Sequence, residues 1–391
     1  MRWGRSRPTD HRADALGGLK LTKGVGRRWS LAYRIAMVTP LRYGIVGTGM
    51  MGCEHIYNIE AIEHAHVVAI SDPHPASLEW ARTALGQRAD QVTVHHSLTD
   101  MVNDPSVDAL VIATPNFQHI DALRVALASD KHIMIEKPLC TTVHDCLEVR
   151  ELAEQRDALT WVALEYRFMP GPAVVLDQVR SGAVGAIKMV AIREHRFPFL
   201  PKVQDWNRLS RNTGGTLVEK CCHFFDLMRQ IAGADPVRVF ASGGQDVNHL
   251  DEVINGEPSD LLDNAFVIVD FANGVRANLD LSMFAEGGRF EQELTVVGDH
   301  AKLEATVPGD TVWLGERHQP GQVALDASLD SEVTYEGFHH GSSQREHLRF
   351  IECIASGRPP LVTVTDGLFA TAMGQAAHES IALGHPIEIR I

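Results

Sequence analysis

The stretch YGIVGTGMMGCEHI, residues 43–56, decides the fold of this 391-residue chain. It reads as a short buried strand followed at once by Gly47, Gly49 and Gly52, spaced G-x-G-x-x-G, and then by a helix. In this pattern the first glycine permits a tight turn, the second lets the backbone approach a pyrophosphate, and the third lets helix and strand pack closely. The pyrophosphate would lie against the helix N-terminus. We therefore predict a dinucleotide site here, which also includes Met50 and Met51.

The next predicted strand, HVVAISD, ends in Asp72, an acid placed about twenty positions after the glycines, as this kind of site requires. Its carboxylate can accept hydrogen bonds from both ribose hydroxyls of the adenosine half, and it would repel a 2′-phosphate. No Arg or Lys follows it directly. These features favour NAD over NADP as the cofactor.

The pattern around these strands predicts an α/β protein of two domains. From residue 41 to about residue 168, apolar runs such as DALVIATP and HIMIEKP alternate with helical patterns, which indicates a doubly wound parallel sheet. After Arg167 come long strands of alternating character, among them NAFVIVDFANGVRANLDLSMF with its ANG turn, and two helical patterns end the chain. We predict an N-terminal Rossmann domain, residues 37–165, and a C-terminal α/β domain with an open, mostly antiparallel sheet, residues 166–391.

Bulk composition bears on the partners of the protein. A hydrophobic fraction of 45% and a charged fraction of 22% are those of a globular chain, and no apolar run approaches the roughly 18 residues of a membrane span. The net charge is −14, and because residues 1–36 carry +7, the rest carries −21. Such an acidic body argues against nucleic acid as a partner. The six cysteines form no Cys-x-x-Cys motif, so we expect a reducing cytoplasm.

The basic segment 1–36 is expected to be a disordered tail or upstream sequence translated ahead of a true start at Met37. Its Arg27-Arg28 pair faintly resembles an export signal. Because Arg34 interrupts the apolar run that follows, that run is too short for a signal's hydrophobic region, and export is the less favoured interpretation.

Two further strand ends are predicted to face the dinucleotide. Glu136 and Lys137, in MIEKPL, follow one parallel strand, and Thr114, Asn116 and His119, in ATPNFQH, follow another. Ligands of open α/β sheets bind at these carboxyl ends. A lysine at such a position is costly as a purely structural residue, because its charge would face a partly closed cleft.

The stretch GGTLVEKCCHFFDLM, residues 214–228, places two cysteines beside a histidine. On a helix, Glu219, His223 and Asp226 would share one face. Cys221 and Cys222 would project elsewhere, so they could not both join His223 at one tetrahedral metal. We therefore predict no metal site and expect both thiols to be small packing residues.

Together these motifs resemble the Gfo/Idh/MocA family of glucose–fructose oxidoreductases, inositol dehydrogenases and rhizopine-catabolism proteins, from about Leu41 to Ile391. The resemblance implies NAD(P)-dependent oxidation or reduction of sugars and polyols. It also implies a homo-oligomer, a dimer or tetramer, formed through the open sheet. It assigns His223 as the acid/base. The family usually has Asp four positions earlier, where this chain has Glu219, which could hold the imidazole tautomer, bind a substrate hydroxyl or shape a different pocket.

The mechanism hypothesis is that His223 accepts a hydroxyl proton while Lys137 donates a hydrogen bond to the reacting oxygen. Arg167, Trp206 and Asn207, near the domain junction, are the candidate substrate-binding residues. Two other functions stay open. One is an NAD-dependent glycosidase that oxidises its substrate transiently, and the other is a non-catalytic NAD-binding regulator, which would need neither Lys137 nor His223.

Overall fold

The computed structural model describes residues 40–328 and 331–391. The predictions for residues 1–36 lie outside the described residues. The predicted domain boundary between residues 165 and 166 stays a prediction, although the strands of the first sheet all precede it and those of the second all follow it.

The first sheet has six parallel strands in the order β3-β2-β1-β4-β5-β6. Helices cover both faces, so its central strands are largely apolar and buried. The order reverses direction between β1 and β4, which is where ligands of doubly wound sheets bind. The strands are β1 Leu41–Val46, β2 Ala65–Ser71, β3 Thr93–Val94, β4 Ala109–Ile112, β5 His132–Glu136 and β6 Thr160–Ala163.

Five helices accompany this sheet, and several begin at residues that suit a helix start. Thr142 and Ser97 accept hydrogen bonds from the third backbone amides of their helices, and Pro75 occupies a first helical position. The helices are α1 Met50–Glu60, α2 Pro75–Leu85, α3 Leu98–Val102, α4 His119–Leu127 and α5 Val143–Ala153.

The second sheet has nine strands in the order β16-β15-β14-β13-β7-β12-β11-β8-β17, and only the β7–β12 pair is parallel. The predicted fold class is therefore confirmed. The strands are β7 Ile187–His195, β8 Pro236–Gly244, β11 Asn264–Phe271, β12 Arg276–Ser282, β13 Gln292–Gly298, β14 Ala301–Val307, β15 Thr311–Glu316, β16 Val323–Asp326 and β17 Ile387–Glu388, with a separate hairpin of β9 Val253–Ile254 and β10 Glu257–Pro258.

The helices of the second half cover one face of this sheet. The long helix Val364–Leu383 packs against α5 of the first half and against β8, and the helix Ser342–Ser356 packs against α1, so the chain's end ties its two halves together. These helices are α6 Pro170–Arg180, α7 Ser210–Thr213, α8 Thr216–Glu219, α9 Cys222–Ala232, α10 Ser342–Ser356 and α11 Val364–Leu383.

The other face of the nine-stranded sheet is open and partly apolar. Burial alternates residue by residue along its strands, as expected when only one face is covered. Phe266 is 66% exposed, and Met189, Phe240, Ile268 and Trp313 are exposed on the same face.

The structure departs from the expected continuous helix across residues 219–226. Helix α8 ends at Glu219 and helix α9 begins at Cys222, with a turn at Lys220 and Cys221 between them. The predicted helix is therefore interrupted between Glu219 and His223.

Candidate active site

A cleft of about 650 Å³ lies at the carboxyl ends of the parallel strands. Its floor comes from the loops after β1, β2, β4 and β5, and its roof comes from residues 201–206 of the second half. Every predicted cofactor residue except Gly52 and His119 lines it: Gly47, Gly49, Met50, Met51, Asp72, Thr114, Asn116, Glu136 and Lys137.

The three glycines meet different constraints. Gly47 has φ +87°, and a Cβ there would lie 2.6 Å from the carbonyl oxygen of Ala113 on the neighbouring strand's loop. A Cβ on Gly52 would lie 2.0 Å from the carbonyl oxygen of Gly47. A Cβ on Gly49 would meet nothing within 4 Å, because this residue borders the cleft. Two glycines thus serve the fold, while Gly49 leaves room for a ligand to approach the backbone.

Asp72 directly follows β2 and braces the turn that carries the glycines. Its carboxylate accepts hydrogen bonds from the backbone amides of Thr48, at 2.7 Å, and of His74, at 2.8 Å. It also lines the cleft. The residue therefore has a structural role that the motif alone did not reveal, beside the predicted contact with ribose hydroxyls.

Polar groups at the β4 loop lack partners within the described chain. The Thr114 hydroxyl and the Asn116 amide nitrogen are buried at the cleft wall and make no hydrogen bond there. His119 lies behind them, fully buried, with its ring nitrogens 3.1 Å from the carbonyl oxygen of Thr114 and 2.8 Å from that of Pro138. His119 thus joins the β4 and β5 loops and is not part of the cleft wall.

These features fit a dinucleotide. Thr114 and Asn116 leave hydrogen-bonding capacity where a polar ligand would supply the partners that buried groups need. The glycine turn opens helix α1, whose first backbone amides suit a pyrophosphate.

Lys137 lies at the inner end of the cleft. Its ammonium donates a hydrogen bond to the backbone oxygen of Glu219 at 3.2 Å, which links the first half of the chain to the second. Burial acts to lower the pKa of Lys137, but the Cys222 sulfur and the carboxyl groups of Glu136, Glu165 and Glu219 outweigh it and raise the pKa. The side chain is therefore a charged donor at neutral pH.

Glu136 supports Lys137 from behind. One oxygen accepts a hydrogen bond from His55 at 2.9 Å and the other accepts one from the Lys137 amide at 3.0 Å. Burial acts to raise the pKa of Glu136, but the His55 bond and the Lys137 charge hold it at about 2. Glu136 is therefore a fixed negative charge, and its own oxygens are already engaged.

Glu219 faces the roof of the cleft. Its carboxylate lies 3.7 Å from the ammonium of Lys202, and its second oxygen is buried without a hydrogen bond in the described chain. Lys202 in turn lies 4.9 Å from the centroid of the Trp206 ring. Burial lowers the pKa of Lys202, and the nearby charge of Lys137 acts in the same direction. Trp206, predicted to bind substrate, thus borders the cleft beside two lysines.

His223 lies beside the inner end of the cleft and is only 2% exposed. Its ring stacks on Tyr166, with centroids 4.0 Å apart, and its Nδ1 is 3.6 Å from a carboxyl oxygen of Glu165. Burial lowers the pKa of His223 well below its usual value, and the charges of Lys137 and Lys220 lower it further. The structure thus brings His223 and Lys137 into one charged neighbourhood, with His223 neutral.

The residues between Glu219 and His223 are also buried. The Lys220 ammonium donates to the Tyr166 hydroxyl at 2.7 Å and pairs with Glu194 at 2.9 Å, so Lys220 is not a surface residue. Burial raises the pKa of Cys221 well above its usual value and that of Cys222 to about 12. Neither thiol is an activated nucleophile.

Two predicted substrate residues lie elsewhere. Arg167 is buried in ion pairs with Asp226 and Asp366, and it also donates to the carbonyl oxygen of Leu361. Asn207 is fully buried and donates to the carbonyl oxygen of Leu200. Neither residue lines the cleft. Glu219 and His223 do not line it either, but they lie close to Lys137, which does, so we keep those two and do not carry Arg167 and Asn207 into the substrate site.

Sequence reasoning missed three residues of the site: Glu165, Lys202 and His339. Glu165 follows β6 by two residues, so the strand-end argument that found Lys137 would have found it had β6 been recognised. Lys202 comes just before the polar loop that drew attention to Trp206. His339 lies in the 3-10 turn Gly337–His339, and no local pattern there indicates a contact with Glu165.

Within residues 40–328 and 331–391, no three His, Cys, Asp or Glu side chains are grouped so that they could hold a metal ion. In the same part of the chain, no helix is both long and apolar enough to cross a membrane.

Known proteins resemble this chain along most of its length. It is 28% identical over 344 residues to the myo-inositol 2-dehydrogenase of Thermotoga maritima, covering 87% of this chain and 96% of that protein. It is also 28% identical over 359 residues to the inositol 2-dehydrogenase of Rhizobium meliloti, covering 89% and 99%. Among solved structures, levoglucosan dehydrogenase in complex with NADH and levoglucosan has the same fold, with a TM-score of 0.78, 21% identity and coverage of 90% and 99%.

Family models give the assignment. The "Oxidoreductase family, NAD-binding Rossmann fold" model matches residues 41–164, and the "Oxidoreductase family, C-terminal alpha/beta domain" model matches residues 177–389. A probable dehydrogenase from Thermotoga maritima has a TM-score of 0.71 at 26% identity and covers 89% of this chain and 98% of its own. The chain therefore belongs to the Gfo/Idh/MocA oxidoreductase family and carries its NAD-binding Rossmann domain.

Proposed function

We propose that this protein is an NAD-dependent dehydrogenase that oxidises a secondary alcohol of a sugar, an inositol or a related polyol. The supporting observation is the neighbourhood at the inner end of the cleft. There the Lys137 ammonium lies 3.2 Å from the Glu219 backbone, and its charge depresses the pKa of His223. The names of the relatives, inositol 2-dehydrogenases, point to the same substrate class.

Each residue has a defined task in this proposal. The dinucleotide, when bound, supplies a hydride acceptor. Lys137 donates a hydrogen bond to the substrate oxygen as negative charge develops on it. His223, which burial keeps neutral, accepts the hydroxyl proton. The second carboxylate oxygen of Glu219, which makes no hydrogen bond in the described chain, accepts one from another substrate hydroxyl.

NAD is favoured over NADP because Asp72 lies at the adenosine end of the cleft. Its carboxylate would repel a 2′-phosphate.

Access to His223 depends on the roof of the cleft. Because His223 is 2% exposed, we propose that the roof, residues 201–206, shifts as a polyol enters. Gln204 and Asp205 in this segment have φ of +57° and +50°, a conformation that costs energy in residues other than glycine. The same segment carries Trp206, which stacks on the apolar face of the sugar ring.

The experiment is a panel of inositols, aldoses and sugar acids, assayed with NAD by the appearance of free NADH. His223→Asn in the same assay should lower kcat by about 10²- to 10⁴-fold, the usual contribution of a general base. His300→Asn, which changes a histidine whose side chain is 78% exposed, is the matched control. Hydrolysis of a glycoside without net NADH would favour the glycosidase alternative, and NAD binding without turnover would favour the regulator.

We also propose that the protein forms a homo-oligomer through the open face of its nine-stranded sheet. Exposed apolar residues cluster there, and contiguous apolar surface of this kind marks interaction sites. Light scattering on the protein and on Phe266→Lys checks this, and a monomeric native protein would contradict it. The cytoplasmic compartment stays a prediction.

A further inference from the structure

Burial disfavours the protonated form of His223. The positive charges of Lys137, Lys220 and Arg196 also act against a second positive charge on His223. A proton that His223 takes from a substrate must therefore leave before the site can turn over again. This consequence rests on the proposed role of His223 as the base.

One carboxyl group connects His223 with the protein surface. One oxygen of Glu165 is 3.6 Å from His223 Nδ1, and the other is 3.8 Å from Nε2 of His339. Glu165 is 5% exposed at its side chain, whereas His339 is 23% exposed. The two distances are slightly longer than hydrogen bonds, as is common before a ligand binds, and each could close directly or through one water.

We propose that Glu165 and His339 form a proton relay that carries the substrate's hydroxyl proton from His223 to solvent. The imidazolium N–H of His223 donates its proton to one oxygen of Glu165. The proton on the other oxygen passes to Nε2 of His339, and a proton then leaves Nδ1 of that ring for water. No redox step is involved, and each group recovers its starting number of protons. The protons end on the opposite atoms of Glu165 and of the two rings, and exchange with water resets them while the site is open between turnovers.

The protonation states of Glu165 and His339 at neutral pH suit this order of proton transfers. Burial raises the pKa of Glu165 to about 8, and the charge of Glu136 acts in the same direction. The carboxyl group is therefore neutral and can accept on one oxygen while it donates from the other. Burial lowers the pKa of His339 to about 3, and the Lys220 charge lowers it further, so this ring is a neutral acceptor that gives its proton up quickly.

The surroundings of the relay are fixed by charged and titratable groups from several elements. The groups that act on Glu165 are Glu136 at the end of β5, Lys137 directly after it, Lys220 in the turn before α9, His223 in α9, His339 in the 3-10 turn and Glu346 in α10.

His339 is held in place by the helix that opens at the dinucleotide turn. Glu54 of α1 accepts hydrogen bonds from the Phe338 amide at 3.1 Å and from the Tyr335 hydroxyl at 3.2 Å. Nδ1 of His339 lies 3.4 Å from the Ser343 hydroxyl. With the Nδ1 proton directed to Ser343, the Nε2 lone pair faces Glu165. The outer end of the relay is thus a positioned group and not a loose surface histidine.

The test compares Glu165→Gln and His339→Ala with the wild type, using the substrate that the panel identifies. An amide cannot pass a proton on, so Glu165→Gln should lower kcat by about 10- to 100-fold while KM and NAD affinity stay near their wild-type values. The solvent deuterium isotope effect on kcat should rise in both variants. Added imidazole should restore His339→Ala, whose site reaches solvent, but not Glu165→Gln, whose site is buried.

Two matched substitutions control for changes in the neighbourhood. Glu336→Gln alters an exposed carboxylate of the same segment, and His340→Asn alters the adjacent histidine, whose φ of +52° asparagine tolerates. Both should behave as wild type. If Glu165→Gln does not fold, the imidazole rescue of His339→Ala decides alone.

Wild-type kcat in both relay variants, or a rise in KM with kcat unchanged, would overturn the relay and leave the proposed function standing. Failure of imidazole to restore an impaired His339→Ala would also overturn it. If the wild-type protein oxidised no member of the panel, the proposed function would fall, and the relay with it.

Discussion

The two ends of the cleft are built in opposite ways. At the nucleotide end the glycine turn presents backbone to the cleft, carried by one strand, one turn and one helix within residues 41–60, with Asp72 as the nearby charge. At the chemical end five separate segments supply the side chains, which are buried and carry charges of both signs: residues 136–137, 165–166, 202, 219–223 and 339.

Because of this difference, cofactor binding and the catalytic step depend on different kinds of groups. Backbone amides at a helix start can hold a phosphate without titrating, so the nucleotide end should depend little on pH. At the inner end, each charge sets the pKa of its neighbours in a poorly hydrated space: Lys137 lowers that of His223, while Glu136 raises that of Glu165. Substitutions there should change rate and pH dependence more than they change cofactor affinity.

Among the substitutions that test this contrast between the two ends, the largest expected effect is at Lys137. Lys137→Met keeps the length of the side chain but removes the charged donor, and kcat should fall by about 10²- to 10³-fold, as when an oxyanion-stabilising group is lost. NAD affinity should change much less. Steady-state kinetics and a fluorescence titration with NAD measure the two effects.

The exposed residue Lys188, changed to Met, is the control for Lys137. Equal losses of kcat and of NAD affinity in Lys137→Met would show that this lysine is a cofactor-binding residue. They would contradict the expectation that substitutions at the chemical end change rate more than cofactor affinity.

Glu165→Gln should stabilise the apo protein at neutral pH. The folded-state pKa of about 8 lies above the unfolded value of 4.5. Below about pH 4.5 both states are protonated and no penalty applies. Between these values only the unfolded state ionises, so stability falls as pH rises. At about 1.4 kcal/mol per pKa unit, the penalty at pH 7 is on the order of 3 kcal/mol, and glutamine removes it.

Urea denaturation of both proteins at pH 5 and at pH 7 measures this effect. The variant's advantage should be under about 1 kcal/mol at pH 5 and several-fold larger at pH 7. An advantage that does not depend on pH would mean that Glu165 is ionised in the folded protein.

Substitutions at two glycines of the nucleotide end should affect stability and NAD binding separately. Gly52→Ala places a Cβ 2.0 Å from a backbone oxygen and should cost about 1–3 kcal/mol of stability. Gly49→Ala meets nothing within 4 Å, and the φ of −67° at this position suits alanine, so stability should be unchanged. Its methyl group would border the cleft and should weaken NAD binding.

Thermal unfolding and NAD titration of the two glycine variants distinguish these effects. A stable Gly49→Ala protein with native NAD affinity would show that the dinucleotide does not approach this residue closely.

The same contrast between the two ends of the cleft explains which parts of the site could be predicted from the sequence. Gly47, Gly49, Gly52 and Asp72 lie within one strand–turn–helix–strand unit, so local spacing predicted their surroundings correctly. Glu165 and His339 are 174 residues apart in the chain, and they meet where α10 packs against α1 and against residues 165–168, which no local pattern indicates. Glu219 and His223 show a limit of the periodicity argument, because the predicted helix is interrupted between them. The Glu219 carboxylate lies beside Lys202, whereas the His223 ring lies beside Glu165 and Tyr166.

The smallest expected effect is at Asp72, and it tests the cofactor preference directly. Asp72→Ser removes both the acceptor for ribose hydroxyls and the repulsion of a 2′-phosphate. It also removes the acceptor of the Thr48 and His74 amides, which would disturb either cofactor alike. The informative quantity is therefore the ratio of kcat/KM for NAD to that for NADP. This ratio should fall about tenfold, or about 1.4 kcal/mol, mainly through a higher KM for NAD.

Asp90→Ser, at an exposed carboxylate beyond the cleft wall, should leave the ratio unchanged. If both cofactors lost efficiency equally in Asp72→Ser, the carboxylate would only brace the glycine turn, and the preference for NAD would have to come from other residues around the adenosine end.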